Sequence, residues 1–203
     1  MGLYERLVRL LRPLVRFFFP VTVVNCPEHL PERGLIVASN HLSNMDAVFL
    51  ALFLPRPLTF LAKKELFRWP IVGSIVKRLD VIPLSRDGGD AAMVRLAARE
   101  LKSGKVMTIF PQGRRQHHTP VKEEFKGGVG MLAVLSEADI LPVAITTRHF
   151  RVRPFRKTVV SFGTLFSPAL DSDLGKKEQA LAISDRTFEE IYRLEESARE
   201  LIG

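Results

Sequence analysis

The sequence predicts an α/β fold: a central, mostly parallel sheet flanked by helices, with an amphipathic helix lying on a membrane surface at the N-terminus. Three observations carry the prediction. Apolar runs of strand length, GLIVASN, LTFLA, DVIPLS, VMTIFP and ILPVAITT, recur along the chain. Between them lie AVFLALFL, ELFRWPIVGSIVKRL, AAMVRLAARELKSG and GGVGMLAVLSEA, which read as helices. The strand segments are continuously apolar rather than alternating, the pattern of strands covered on both faces. At 203 residues the chain is long enough for one well-buried core, and it divides into an appendage, 1–20, and a single domain, 21–203.

The first element is LYERLVRLLRPLVRFFFP, in which Arg6, Arg9, Arg12 and Arg16 recur at helical spacing while Leu3, Leu7, Leu10, Leu11, Leu14, Phe17 and Phe18 gather toward the other side. The arginines interrupt any apolar span of the roughly 18 residues needed to cross a bilayer, and no small-residue cleavage site follows. A helix of this kind lies in the membrane interface. A large apolar side chain contributes roughly 1.5–3 kcal/mol when buried and each arginine about 1 kcal/mol near anionic lipid. The alternative is that the helix packs on its own domain. Pro13, without an amide hydrogen, is expected to kink or divide the segment.

The strand at 34–40 ends abruptly in NHLSNMD. Ligands collect at the carboxyl ends of strands in open α/β sheets, and this loop lies between such a strand and the helix at 47–54. Ser43 or Asn44 can cap that helix, which puts Asp46 in the first turn, able to reach back toward His41. A carboxylate on one ring nitrogen fixes the tautomer and leaves the other nitrogen to accept a proton from a substrate hydroxyl. No protein serine is needed if the substrate is the nucleophile. The competing reading is structural: Ser43-x-x-Asp46 resembles a capping box, and His41 satisfies a nearby carbonyl.

Further along, TVVSFGTLF at 158–166 offers a late strand and RVRPFRK at 151–157 an exposed basic loop. SDRTFEEIYRLEESARELI reads as a terminal helix capped by Ser184 or Asp185, with Phe188, Ile191, Leu194 and Leu201 turned inward.

Thirty Lys and Arg against 22 Asp and Glu give a net charge of +8, which favours phosphate-bearing partners. The pI near 10.0 would suit nucleic acid, but the basic stripe with interleaved stacking aromatics is missing, and the clearest arginine face is backed by Leu and Phe. A mean hydropathy of +0.09 fits contact with lipid instead. The single cysteine, Cys26, excludes an intrachain disulfide and fits a reducing compartment. Cys26-x-x-His29 lacks a second ligand pair, and adjacent His117 and His118 on a polar loop read as solvated, so no metal is expected. KGGVG and DGGD do not complete a phosphate-loop spacing, and no nucleotide cofactor is expected.

The remaining motifs join the histidine loop in a recognisable order. Asn40, His41 and Asp46 are followed by Lys63, Glu65, Leu66, Pro70, Gly73, Ile82, Pro83 and Arg86. Then come Phe110-Pro-Gln-Gly-Arg-Arg115, Phe125, Lys126 and Gly128, and Pro142 to Ile145. This series, over about residues 35–147, resembles the glycerolipid acyltransferases typified by lysophosphatidic acid acyltransferase. The resemblance implies acyl transfer in phospholipid biosynthesis, from acyl-CoA or acyl carrier protein as donor substrate to a lysolipid acceptor. It implies 1-acylglycerol-3-phosphate as acceptor, giving phosphatidic acid, on the cytoplasmic face of a membrane, with residues 21–203 as one acyltransferase domain. His41 and Asp46 would be catalytic; Lys63, Arg86, Gln112, Gly113, Arg114, Arg115 and Lys126 would bind substrate. Arg86, Arg115 and Lys63 suit a phosphate, and backbone amides near Gly113 suit an oxyanion. Gln112 stands where the family has Glu, and Arg114 where it has Thr. These departures leave another lysolipid, a glycolipid or a lipid alcohol as alternative acceptors, and a non-catalytic lipid-binding relative as a further alternative. Oligomeric state leaves no trace in the sequence.

Overall fold

The computed structural model describes residues 3–63, 81–84, 89–125, 127–168 and 173–202, and the side chains of all of these except Leu3, 61–63, 81–84 and 89–91. Among the described residues the strands are β1 (Val21–Val24), β2 (Leu35–Ser39), β3 (Leu58–Lys63), β4 (Val81–Leu84), β5 (Val106–Ile109), β6 (Asp139–Thr147) and β7 (Thr158–Phe162). They form one sheet in the order β1-β7-β6-β2-β5-β3-β4. Every neighbouring pair is parallel except β6 and β7. The helices are α1 (Leu3–Phe18), α2 (Met45–Phe53), α3 (Gly89–Lys102), α4 (Gly128–Ser136) and α5 (Lys176–Glu200). The predicted sheet and its helical cover are thus present; the helix expected at 65–79 lies outside the described residues.

Burial explains why the strands read as unbroken apolar runs. In β2, Leu35 and Val37 face a core built with Phe49, Leu50 and Phe53 of α2. Ile36 and Ala38 face a second core built with Leu101 of α3, Leu132 of α4 and Ile191 of α5. Alternate side chains therefore enter opposite cores, and neither face of the strand meets water. Because β2, β5 and β6 run parallel, the loops that follow them leave at one edge of the sheet.

Helix α1 docks by a seam that finishes α2. The last carbonyls of a helix have no partner within it. Here the Tyr4 hydroxyl donates to Ala51 O at 3.0 Å, Arg12 Nε to Leu52 O at 2.9 Å with Nη2 on the same oxygen, and the Cys26 thiol to Phe53 O at 3.4 Å. The Arg12 guanidinium also sits at the negative end of the α2 dipole, where a cation is favoured. Val8, Val15 and Phe19 pack on the core beneath. The opposite side stays open: Leu10, Leu14 and Phe17 are 70%, 53% and 70% exposed.

The structure differs from the sequence expectations in four places. Pro13 lies inside a helix assigned without a break from Leu3 to Phe18; both Pro13 and Arg9, four residues before it, are exposed, and the docking seam holds the turns on either side. Strand β1 was not anticipated, since VTVV is a short edge segment whose partner, β7, is distant in sequence. Helix α5 begins at Lys176 rather than at Ser184 or Asp185, and Ser184 is interior, its hydroxyl donating to Ala180 O at 2.8 Å and accepting from Gly130 N at 3.2 Å. Leu201 is 46% exposed, whereas Ile191 is fully buried.

The contact between α4 and α5 depends on Gly130. A Cβ there would fall on the Ala180 carbonyl oxygen and crowd the Ser184 hydroxyl. Gly130→Ala is expected to lower the unfolding free energy by about 1–3 kcal/mol, read as a lower thermal midpoint; an unchanged midpoint would contradict this packing.

Candidate active site

Strand β2 delivers its loop to the carboxyl edge of the sheet through Asn40. This side chain, 1% exposed, donates through Nδ2 to Ile145 O at 2.9 Å and accepts at Oδ1 from Ile145 N at 2.7 Å. It thereby replaces a ladder step to β6, and both halves of the amide are satisfied. The next residue, His41, is held through its backbone by the turn after β5. Its N–H donates to Gln112 Oε1 at 2.9 Å, and its carbonyl accepts from Gln116 N at 2.8 Å. The three central strands thus fix the origin of the histidine.

Asp46, in the first turn of α2, fixes its direction. A single carboxylate oxygen, Oδ2, accepts from Leu42 N at 2.6 Å and Ser43 N at 2.8 Å, and lies 2.8 Å from His41 Nδ1. The carboxylate is fully buried and the imidazole 18% exposed. The three N–H groups on Oδ2 offset the cost of burying the carboxylate, whose Oδ1 has no hydrogen-bond partner among the described residues. The two readings left open in the sequence are one arrangement. The bond to Ser43 N is half of a capping box, and the same oxygen holds the ring. With Nδ1 as the donor to Asp46, Nε2 carries the lone pair, and it has no hydrogen-bond partner among the described residues.

The ring is stacked on Phe110, centroids 4.0 Å apart and planes 17° from parallel. It borders a cavity of about 450 Å³ whose walls include Met93, Val94, Ala97, Ile109, Phe110 and Leu132. A largely apolar pocket with His41 at its border suits an acyl chain whose end reaches the imidazole. On the Leu42–Ser43 side of the loop lies a smaller basic hollow bordered by Arg115, His117, Arg151 and Arg153. A larger groove, about 570 Å³, between α1 and the end of α2 is lined by Arg9, Arg12, Arg16 and Arg56 but lies apart from the imidazole.

His41 and Asp46 therefore come together as expected. Gln112 is 3% exposed and spends its oxygen on the His41 backbone, so it organises the site from beneath. Gly113 takes the left-handed conformation, φ 68°, that lets the turn close, and its N–H donates to Phe110 O at 2.9 Å. That amide is used within the turn. Arg114 points outward, 74% exposed and 3.6 Å from Glu124. Arg115 lines the basic hollow. Lys63 ends β3 at the same sheet edge, but its side chain, together with Arg86 and Lys126, lies outside the described residues. No group of three or more His, Cys, Asp or Glu able to hold a metal occurs among the described residues. His117 and His118 each place Nδ1 on a backbone carbonyl, of Phe150 and Thr119 respectively.

Sequence reading did not assign roles to Phe110 and Gln116, nor to Arg151 and Arg153 beside the loop that carries His41. The pertinent signal for the arginines is topological: their loop follows a strand parallel to β2. Gln116 gives no such signal, since only its backbone acts.

Fold and site define the class, an α/β enzyme whose polar groups lie on loops after parallel strands. More particularly, residues 21–146 match the Acyltransferase family; the chain belongs to that family and is an enzyme that transfers acyl groups. It is similar to the 1-acyl-sn-glycerol-3-phosphate acyltransferase of Bacillus subtilis, with 27% identity over 178 residues, 86% of this chain and 88% of the relative. The lyso-ornithine lipid O-acyltransferase of Pseudomonas aeruginosa is 29% identical over 120 residues, 59% of this chain and 45% of that protein. Among solved structures, the 1-acyl-sn-glycerophosphate (LPA) acyltransferase of Thermotoga maritima superposes with a TM-score of 0.67 and 25% identity, over 92% of this chain and 77% of that one.

The Asn40 clamp is testable apart from activity. Asn40→Ala leaves the Ile145 amide and carbonyl buried without their partners, and is expected to lower the unfolding free energy by about 2–4 kcal/mol. Denaturant melting checks this, and a loss under about 0.5 kcal/mol, the level of an ordinary surface substitution, would contradict it.

Proposed function

We propose that this enzyme transfers a fatty acyl group from a thioester of coenzyme A or acyl carrier protein to the free hydroxyl of a lysophospholipid, 1-acylglycerol-3-phosphate, giving phosphatidic acid. The observation that carries the reading is the imidazole of His41, held 2.8 Å from a buried carboxylate, beside an apolar cavity of about 450 Å³. His41 Nε2 removes the acceptor hydroxyl proton as the oxygen attacks the thioester carbonyl. When the carbon–sulfur bond breaks, the leaving sulfur takes that proton back from Nε2, so the ring ends as it began. Asp46 keeps the proton on Nδ1 and offsets the charge the ring gains in between.

The acceptor assignment draws support from the two departures in the third motif. Gln112 is buried under His41 and Arg114 is paired outward with Glu124, so neither of their side chains meets the acceptor directly. Arg115, in the basic hollow next to Ser43, is placed to meet a phosphate close to the reacting hydroxyl, with Lys63, Arg86 and Lys126 as further contributors. The activity named for the Bacillus subtilis relative, which matches more of this chain than the Pseudomonas aeruginosa enzyme does, supports the same acceptor.

In this reading residues 1–20 hold the acyltransferase domain, 21–203, on the cytoplasmic face of a membrane. No described helix is long and apolar enough to cross a bilayer. Leu10, Leu14, Phe17 and Phe18 form an exposed apolar face, joined by Phe155, itself 64% exposed. Thr158 N donates to Pro20 O, so this face borders the carboxyl edge of β6, the edge that carries His41. A lysolipid can then present its hydroxyl without leaving the membrane. Bilayer-bound substrate and an N-terminal interfacial helix fit together on one side of the molecule.

His41→Ala is expected to cut acyl transfer to 1-acylglycerol-3-phosphate by about 10²–10⁴-fold with an unchanged thermal midpoint. The wild type, offered lysophosphatidic acid, a lyso-ornithine lipid and a lysoglycolipid, is expected to acylate the first fastest. Full turnover in the variant would remove His41 as the base; no incorporation into any lysophospholipid would remove the acceptor.

A further inference from the structure

The loop between β6 and β7 supplies a second basic site, beyond the hollow beside Ser43. Thr147, Arg148, His149, Arg151, Arg153, Arg156, Lys157 and, from the C-terminal end, Ile202 enclose a cavity of about 420 Å³. Among the described residues no carboxylate lines it, and none of its arginines or Lys157 forms an ion pair. Thr147, only 2% exposed, has a hydroxyl without a hydrogen-bond partner. Cations gathered this closely repel one another, and an anion with several acceptor oxygens relieves that repulsion while matching the paired donors of guanidinium groups.

The surroundings say which anion. Phe155 lies between Arg153 and Arg156 in sequence, is 64% exposed, and donates its N–H to Phe18 O at 2.6 Å. Its ring packs against Phe18 at 5.7 Å and Phe17 at 6.4 Å. An apolar tip flanked by cations matches a bilayer, with acyl chains at the tip and phosphates at the level of the arginines.

We propose that this cavity binds the phosphate of an anionic membrane phospholipid, apart from the lipid being acylated. The proposal rests on the reading of α1 as a membrane-surface helix, because that orientation turns the cavity toward the headgroups. Arg151 and Arg153 also border the hollow beside Ser43, whereas Arg148 and Arg156 line only the outer cavity, so the latter pair isolates it.

The test is sedimentation of the full chain with phosphatidylcholine vesicles, alone or mixed with phosphatidylglycerol, at low salt. Arg148→Gln/Arg156→Gln is expected to weaken partitioning onto mixed vesicles about tenfold or more and to leave binding to neutral vesicles unchanged. Lys176→Gln/Lys177→Gln removes the same charge at the far end of α5, roughly 35 Å away along a helix of this length, and is expected to change partitioning by less than about twofold. Equal losses in the two variants would reduce the effect to net charge and overturn the site. Unchanged partitioning also overturns it, and a raised KM for acyl-CoA in the same variant would give the cavity to the donor's phosphates instead. The supporting orientation has its own readout: Leu14→Ser/Phe17→Ser is expected to weaken binding to neutral and anionic vesicles alike, and failure there strikes the helix reading, not the charge selectivity of the cavity.

Discussion

One carboxylate oxygen, Asp46 Oδ2, organises the loop between β2 and α2. It receives the Leu42 and Ser43 amides and the His41 ring together, so the turn that starts α2 and the direction of the imidazole are a single geometric decision. A fully buried carboxylate needs this many donors to offset its desolvation. Asn40 adds a backbone-like splice into β6, and Gln112 and Gln116 hold the His41 peptide from the β5 side. The ring is therefore referenced to the most deeply buried strands, where packing permits little movement. Precise placement of a base needs this sort of support from beneath.

The parallel sheet accounts for the gathering of functions at one edge. Strands β2, β5 and β6 all end there, and each contributes a loop: the histidine, the turn that clamps it, and the basic segment with Phe155. Because β7 returns antiparallel to β6 and pairs with β1, the entry to β1 and the end of α1 are brought to that edge too. The topology thus sets an exposed apolar surface, cationic cavities and the imidazole side by side. Helix α1 serves this arrangement by dividing its circumference: Tyr4, Arg12 and Val15 bind it to α2 and the core, while Leu10, Leu14 and Phe17 stay outward. The docking seam and the exposed apolar residues occupy different sides of one helix.

Local patterns in the sequence carried the sheet, the helix following the histidine, and the His41–Asp46 pairing, because each is decided within a few residues. Asp46 reaches His41 across a single turn, and its spacing declares it. The clamp was not legible, because its partners are brought together only by folding: Asn40 meets Ile145 across 105 positions, and His41 meets Gln112 across 71. The role of Gln112 shows the consequence most plainly. As a departure from a motif it looked like a change of acceptor specificity, yet burial turns it toward a backbone amide. The early start of α5 has the same origin, since Ser184 looks like a cap in sequence and becomes interior once Gly130 packs against it.

The account depends on the negative charge of a carboxylate beside the ring rather than on the mere presence of a polar side chain at that position. Asp46→Asn separates the two, being equal in size, with an amide oxygen that in the place of Oδ2 accepts the same three N–H groups but carries no charge to offset the imidazolium. Steady-state acyl transfer by this variant, at saturating acceptor and with its thermal midpoint recorded alongside, is the most direct measurement. A fall in kcat of about 10³–10⁴-fold in a protein that still folds is the predicted result, and a kcat near that of the wild type would contradict it.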